Sequence, residues 1–340
     1  MALQPLVSVI IPTHNRKDRL RETLLCLAGQ TWPVEKFEVI VVDDGSDDGT
    51  KKIVEETLPF TLRYLWQSNQ GDAAARNLGT QHSNADLLVF LDDDIVVEKD
   101  YLRHLVLQHD SQNERIVVGR SYDWTKESNP LCDPRRWQLV ENTLDESEEI
   151  SFVEVCSNNM SLRREAYFSI GMMQGLEFSG SSMWCDVDFA YRAHQQGLRI
   201  IRSNQAICWH RDYVLKSIES HKKRMKEAAY RAVALFQKYP QLVYYLPMFA
   251  DKTPIAWRRD SLNLIARKIA RQLMSARPML IGIEETANLL DKHGMMPALL
   301  SILHRWIIGA YIFRGYRAGV RTHGMPVSNE LLLRMRRTKR

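Results

Sequence analysis

The chain has 340 residues, 45% apolar and 26% charged, with a formal net charge of +5, a composition that excludes disordered, fibrous and collagen-like classes and leaves room for one large domain with an appendage. The charge is unevenly placed: residues 1–210 hold 21 Lys and Arg against 32 Asp and Glu, whereas residues 211–340 hold 25 against 9. The two parts therefore face partners of different charge.

In chain order, Leu6–Pro12 is a short apolar run with no basic stretch before it, which reads as a first buried strand and not as a signal peptide. Val7–Ile11 and Phe37–Val42 are β-branched strands flanking a helix over Asp18–Ala28, the pattern of a βαβ unit with a parallel sheet. A helix over Lys51–Thr57, a strand over Leu62–Trp66, a helix over Ala73–Gln81 and a strand over Leu87–Leu91 continue the alternation of a doubly wound, mostly parallel α/β layer. Such sheets bind ligands at the carboxyl ends of their strands, here near Pro12, Asp43 and Asp92. From Ile116 the pattern is mixed, with an acidic stretch over Glu141–Glu149, a strand expected over Phe152–Cys156 and a helix starting near Asp186. The remainder reads as basic and helical, with helices expected over Lys216–Tyr239, Ser261–Ser275 and Pro297–Val320. The expected domains are 1–213, divided into a nucleotide-binding half (1–115) and an acceptor half (116–213), and a helical extension, 214–340. Cys26, Cys132, Cys156, Cys185 and Cys208 are far apart and odd in number, fitting neither a zinc site nor a disulfide framework and making a cytoplasmic setting the expectation.

Four segments carry chemistry. Asp92-Asp93-Asp94 closes the apolar run Leu87–Leu91, and three adjacent carboxylates repel unless a cation or hydrogen-bond donors offset them. Magnesium or manganese suits such hard oxygen ligands; a solvated acidic turn is the alternative. VIVVDDGSDDG at residues 39–49 ends a strand in two acids and a Gly-Ser turn, through which the backbone can approach a ligand; an ordinary turn accounts for it equally well. NQGDAAARNLG at residues 69–79 sets small residues and Arg76 where a helix packs on the sheet near a phosphate-bearing ligand, the alternative being that Arg76 pairs with an acid. WCDVDFAYR at residues 184–192 puts Asp186 near a helix start, where an acid is also favoured by the helix dipole.

In this order the segments resemble the family 2 glycosyltransferases, inverting enzymes of the GT-A fold, over roughly residues 6–212. The resemblance is carried by VSVIIPTHNR (7–16), QTWPVEKFEVIVVDDGSDDGT (30–50), NQGDAAARNLG (69–79), FLDDD (90–94), NNMSLRREAY (158–167) and CDVDFAYR (185–192). It implies that Pro12, Thr13, Asp44, Arg76, Asp92 and Asp93 contact a nucleotide-diphosphate sugar, with UDP the favoured nucleotide. It further implies that Asp94 ligates Mn2+ or Mg2+, that His210 approaches that metal, and that Asp186 is the base that deprotonates a saccharide or lipid-linked acceptor in cell-surface polysaccharide or glycolipid assembly. The chain departs from the pattern at Arg16, where relatives carry an acid, at Cys185, where they carry glutamate, and at Met172-Met173, where they carry Gly-Phe.

In the extension, Leu262, Ile265, Ile269 and Leu273 share one helical face and Arg267, Lys268 and Arg271 lie largely elsewhere. Ala298–Phe313 is apolar but interrupted by His304-Arg305, too short and charged to span a bilayer, and is expected to lie on an anionic membrane surface at the inner face of the plasma membrane. No nucleic-acid motif is present. Two alternatives compete: a haloacid-dehalogenase-like phosphatase, since LVFLDDDIVV (88–97) fits D-x-D-x-V with Asp92 as nucleophile and Asp94 as acid/base, and a catalytically inactive nucleotide-sugar-binding protein, which the Cys185 departure keeps open.

Overall fold

A computed structural model describes residues 6–109, 114–123, 147–175, 183–211 and 217–324. The chain divides into two compact units, residues 1–175 with 185–212, and residues 176–184 with 213–340.

Among the described residues the first unit has nine strands: β1 (Val7–Thr13), β2 (Phe37–Asp43), β3 (Thr61–Trp66), β4 (Leu87–Leu91), β5 (Ile95–Val97), β6 (Arg115–Asp123), β7 (Ser147–Glu149), β8 (Asn159–Arg163) and β9 (Arg199–His210). Their order is β3-β2-β1-β4-β8-β6-β9-β5, with β7 also on β9. The first four are mutually parallel, as the βαβ reading requires; beyond β4 the sheet is mixed, with β8 antiparallel to β4 and β6, and β6 parallel to β9. β1, β2 and β4 are buried at every position, which is why their sequences are continuous apolar runs and not alternations. Its described helices are α1 (Lys17–Ala28), α2 (Thr50–Val54), α3 (Asp72–Gln81), α4 (Tyr101–Leu107), α5 (Arg164–Ser169) and α6 (Cys185–Gln195). Leu20, Leu24 and Leu27 of α1 pack with β1, β2 and β4 in the main core, placing α1 across the sheet from which the ligand-facing loops emerge.

The strand expected over Phe152–Cys156 is instead a 3-10 turn over Phe152–Glu154, started by a capping box in which Ser151 and Glu154 exchange hydrogen bonds. The antiparallel strand is β8, a few residues on. Of the acidic stretch Glu141–Glu149, the part before Ser147 lies outside the described residues.

The second unit is helical: α7 (Ile218–Lys238), α8 (Leu262–Met274), α9 (Arg277–Lys292) and α10 (Pro297–His323), with 3-10 turns over Pro240–Tyr244 and Pro247–Phe249. Its central contact is α10 on α7. Gly315 and Gly319 make that approach possible, since a Cβ on either would stand within about 2.5 Å of the backbone oxygens of Lys226 and Tyr230. Ile307, Ala310, Ile312 and Tyr316 are buried along α10, and α9 packs Leu280, Ile283 and Ala287 against Ile307 and Ala310. The apolar stretch expected to lie on a membrane surface is therefore largely core from Ile307 onward, a correction that follows from its glycines and alanines, which let α7 and α9 close over it. No described helix is long and apolar enough to cross a membrane.

Candidate active site

Parallel register brings the strand ends together. Thr13 of β1 stands opposite Asp43 of β2, and Asp43 opposite Trp66 of β3. The loops that follow are stitched to each other: the amide of Asn15, in the left-handed region with φ 53°, donates to Ser46 Oγ at 2.9 Å, Asn15 Oδ1 accepts from the Asp47 amide at 2.9 Å, and the Lys17 amide donates to Asp48 Oδ2 at 3.0 Å. Asp44 is buried and already accepts from Gln67 Nε2 at 2.7 Å and from the amides of Gln70 and Gly71, each at 2.8 Å. Gly71 holds φ 89°, ψ 161° before α3, a conformation open to glycine. Asp44 thus fixes the turn that launches α3, leaving about one of its four lone-pair positions to a ligand. Pro12 is buried within β1, in register with Val42.

The three aspartates after β4 turn to three different partners. Asp92 Oδ1 accepts from Arg76 Nη2 at 2.5 Å, and Arg76, 2% exposed, also pairs with Asp72 one turn earlier on α3. Asp93 accepts from Thr13 Oγ1 at 2.8 Å and from Arg16 Nη1 at 3.0 Å. Asp94 Oδ2 faces Arg16 at 3.4 Å and Arg19 at 3.7 Å, while His210 Nε2 stands 3.4 Å from Oδ1. Topology delivers His210: β9 runs antiparallel to β5 with His210 beside Ile95, and the Arg211 amide donates to the Asp94 carbonyl at 3.1 Å.

These surroundings set the ionisation of each acid. Burial raises the pKa of Asp92, with Arg76 pulling the other way. Burial likewise carries Asp93 up to about 6 despite Arg16 and Thr13. Asp94 also suffers desolvation, but the His210 imidazole and then Arg16 and Arg19 outweigh it and hold the carboxyl below the usual range. The Arg76 guanidinium, desolvated but flanked by Asp92 and Asp72, is held more firmly protonated than an ordinary arginine.

The triplet is therefore not a three-carboxylate cup, and the metal expectation narrows to Asp94 and His210. Asp94 Oδ1 is buried and accepts no hydrogen bond among the described residues. A carboxylate oxygen left in that state beside an imidazole nitrogen is a donor pair that fits a manganese-like divalent ion. Among the described residues, Glu98, Asp100 and His104 also bring ligand atoms within 4.8 Å of one another; there the Asp100 amide donates to Glu98 Oε2 and Thr31 Oγ1 to Asp100 Oδ1, the hydrogen bonding of a turn entering α4.

Asp186 lies half-buried in the first turn of α6, with Oδ1 accepting from the Val187 amide at 2.8 Å. Burial raises its pKa, opposed by the Val187 amide and then by Arg76, so it lies within electrostatic reach of the guanidinium that holds Asp92. Asp188, two residues on, has no exposure and pairs with Arg192 at 2.9 Å. Arg192 reaches the Ile170 carbonyl and, at 2.7 Å, that of Met172, clamping the bend in which Met172 takes φ 57°. Asn77 of α3 holds the same bend from the other side, donating to the Met173 carbonyl at 2.8 Å and accepting from Tyr167 Oη at 2.6 Å.

Of the residues singled out from sequence, Thr13, Asp93, Asp94 and His210 are joined through Arg16, Arg76 and Asp92 form an adjoining pair that acts electrostatically on Asp186, and Pro12 and Asp44 serve the neighbouring backbone. Sequence reasoning missed Arg16 and Arg19 as partners of the aspartates, although Arg16 already stood out as a departure. It also missed Tyr64, which donates to Asp43 Oδ2 at 2.7 Å and is visible beforehand only as an aromatic on the neighbouring strand.

Comparison with known proteins bears on the same region. The family model described as "Glycosyl transferase family 2" matches residues 8–170. Glycosyltransferase AglE of Haloferax volcanii is 30% identical over 213 residues, which cover 61% of this chain and 67% of that protein. A validoxylamine A glucosyltransferase of Streptomyces hygroscopicus is 38% identical over 143 residues, 40% of this chain but 33% of the relative. The chain thus spans two thirds of the first relative and about a third of the second. In structure, the mannosyltransferase PcManGT from Pyrobaculum calidifontis, solved in complex with GDP-Man and Mn2+, superposes with a TM-score of 0.60 over 94% of this chain and 88% of its own, at 19% identity, so the mixed sheet is a GT-A fold. The phosphatase alternative, which rested on LVFLDDDIVV (88–97) alone, leaves these matches unexplained. With its motifs in order on that sheet, the chain belongs to glycosyl transferase family 2.

Proposed function

We propose that this glycosyltransferase moves a sugar from a nucleotide-diphosphate sugar to an acceptor hydroxyl with inversion at the anomeric carbon, and that a divalent ion supports the reaction. The observation that carries the reading is the buried Asp94 oxygen beside His210, next to an arginine-bridged acid network coupled to Asp186. Asp94 and His210 hold Mn2+ or Mg2+, which when bound offsets negative charge on the donor's phosphates. The Mn2+ bound in PcManGT supports that choice.

Asp186 takes the acceptor's proton as the hydroxyl oxygen attacks the anomeric carbon. The bond from that carbon to the diphosphate oxygen breaks, and the electron pair leaves with the nucleoside diphosphate. A carboxylate whose pKa is raised by burial is the stronger base for this task. Arg76, locked between Asp72 and Asp92, keeps the floor of the site in place, and Asp44 and Thr13 shape the nucleotide side. UDP is the favoured nucleotide; GDP is the rival, since PcManGT carries GDP-Man.

The acceptor is a saccharide or lipid-linked saccharide in cell-surface polysaccharide or glycolipid assembly, and the chain attaches peripherally to an anionic membrane surface at the inner face of the plasma membrane. The strongly basic residues 211–340 support that attachment. The test is a thermal-shift panel of UDP, GDP and their sugars with and without manganese, since a ligand of the folded state raises apparent stability. A manganese-dependent shift with one nucleotide sugar supports the reading; no shift with any of them defeats it.

A further inference from the structure

Helix α8 is folded with its charges inward. Lys268 and Arg271 are buried. Lys268 Nζ donates to Asp260 Oδ2 at 2.7 Å and to the Pro254 carbonyl at 2.8 Å, and Arg271 donates to Asp251 Oδ2 and to the Trp306 carbonyl, each at 3.1 Å. Ser261 caps the helix start by accepting from the Leu264 amide, and Ile265 is the apolar residue that joins the basic pair inside. Rotation by 100° per residue then leaves Leu262, Ala266, Ile269 and Leu273 within about 60° of arc on the outer side. Leu262 is 86% exposed, Ile269 41% and Leu273 62%. Trp257, five residues before the helix, is 71% exposed; Arg258 before the helix and Arg277 after it are exposed, and Arg267, also exposed, lies about 130° round the helix from the centre of the stripe.

An amphipathic helix that meets water on its outer side buries its apolar stripe, because that is where the free energy of burial lies. Here two desolvated cations are neutralised by Asp251 and Asp260 so that the stripe can point out. We propose that this face of α8, with Trp257 at its leading end, is the surface by which the chain lies on an anionic lipid bilayer. The leucine and isoleucine side chains enter the acyl boundary, Trp257 sits at the headgroup level, and Arg258 and Arg277, just beyond the two ends of the helix, meet lipid phosphates. A second copy of the chain is the weaker occupant. A self-complementary contact would press together two copies of a region that holds 25 basic residues against 9 acidic, like charge against like charge.

The proposal rests on the peripheral attachment inferred above and names the face that performs it. The test is flotation of the full chain with phosphatidylcholine vesicles, with and without phosphatidylglycerol, at low salt. The expected result is co-flotation with the anionic vesicles and a loss of at least about tenfold in the Leu262→Ser, Ile269→Ser, Leu273→Ser variant. Unchanged circular dichroism and melting of that variant confirm that an outward stripe was altered and not the core. Arg258→Gln, Arg277→Gln weakens binding by a smaller factor and flattens its salt dependence. If the wild type ignores both vesicle types, attachment and face fall together. If it floats and the serine variant floats equally well, attachment stands and the assignment to α8 falls. Serine substitution that converts a wild-type dimer to a monomer in light scattering, with no vesicle binding by either, identifies a second copy as the occupant and overturns the proposal. So does vesicle binding that appears only after truncation at Gly324, which would make the chain's own terminal residues the cover.

Discussion

The two units bury opposite charges. Among the described residues, the buried charged side chains of the α/β unit are Glu38, Asp43, Asp44, Asp93, Asp94, Glu98 and Asp188, with Arg76 the buried base; in the helical unit they are Lys222, Lys252, Lys268 and Arg271, with Asp251 the buried acid. The partners differ as well. Asp43 and Asp44 are met by a hydroxyl, a side-chain amide and backbone N–H groups, neutral donors that stabilise a carboxylate without adding charge. The strand ends therefore keep a negative field, and at Asp94 an oxygen remains without a hydrogen bond. In the helical unit each buried cation has a carboxylate against it, so charge there is spent on architecture. Buried charge lacking a full set of partners marks a place where a ligand completes the structure; buried charge that is fully matched marks a scaffold.

The largest effect expected from this contrast is on turnover. Asp186→Asn removes the proposed proton acceptor without touching the strand-end network, so kcat is expected to fall about 1,000-fold while donor affinity stays within about threefold. Steady-state rates beside donor titrations check this, and retained turnover removes Asp186 from its role. Next comes the scaffold. Arg271→Ala leaves Asp251 with Lys252 as its remaining partner in a dry setting and should cost about 3 kcal/mol in chemical denaturation of the full chain. A cost near zero would mean that the buried pairs of the helical unit are not matched as described.

A smaller change sharpens the site. Arg16 lies against both Asp93 and Asp94, so a divalent ion approaching Asp94 meets a resident cation. Arg16→Gln should tighten Mn2+ binding in the absence of nucleotide by about threefold, a modest factor because the arginine is part-exposed; weaker binding would mean that Arg16 assists the ion instead.

The smallest effect tests a region away from both. His109, bonded to Ser161 Oγ at 2.8 Å, has its pKa lowered from 6.5 to about 3 by burial and then by Arg163 and Arg115. Between those values the unfolded chain binds a proton that the folded chain refuses, so this residue's contribution makes stability rise with pH. Stability is lost as pH falls from 6.5 toward 3, and His109→Gln should flatten the slope of denaturation midpoint against pH in that window. An unchanged slope contradicts it.

The strands that carry the site were legible because β1, β2 and β4 are buried on both faces and their apolar runs end abruptly in polar residues. What escaped was set by neighbours far along the chain. Phe152–Glu154 is apolar enough for a strand, but the Ser151–Glu154 capping box turns it. Helix α9 went unseen because Pro278 and Gly282 look like breakers; Pro278 sits at the helix start, where its missing N–H costs nothing. The outward stripe of α8 shows amphipathicity in sequence without showing which side is inside; that depends on Asp251 and Asp260, whose role appears only when the chain has folded back. At the site, a resemblance pointed to His210, but its place beside Asp94 is a product of β5–β9 pairing, and the partition of three adjacent aspartates among Arg76, Arg16 and His210 leaves no trace in residue spacing.

The central claim is that the Asp94 oxygen beside His210 completes a divalent-ion site on which donor binding depends. Isothermal titration of Mn2+ into the wild type, Asp94→Ala and His210→Ala, each with and without nucleoside diphosphate, tests it most directly. The account predicts wild-type binding that the nucleotide strengthens, loss of detectable Mn2+ binding in Asp94→Ala and weakening in His210→Ala by about tenfold or more. Wild-type Mn2+ affinity retained in Asp94→Ala would contradict it.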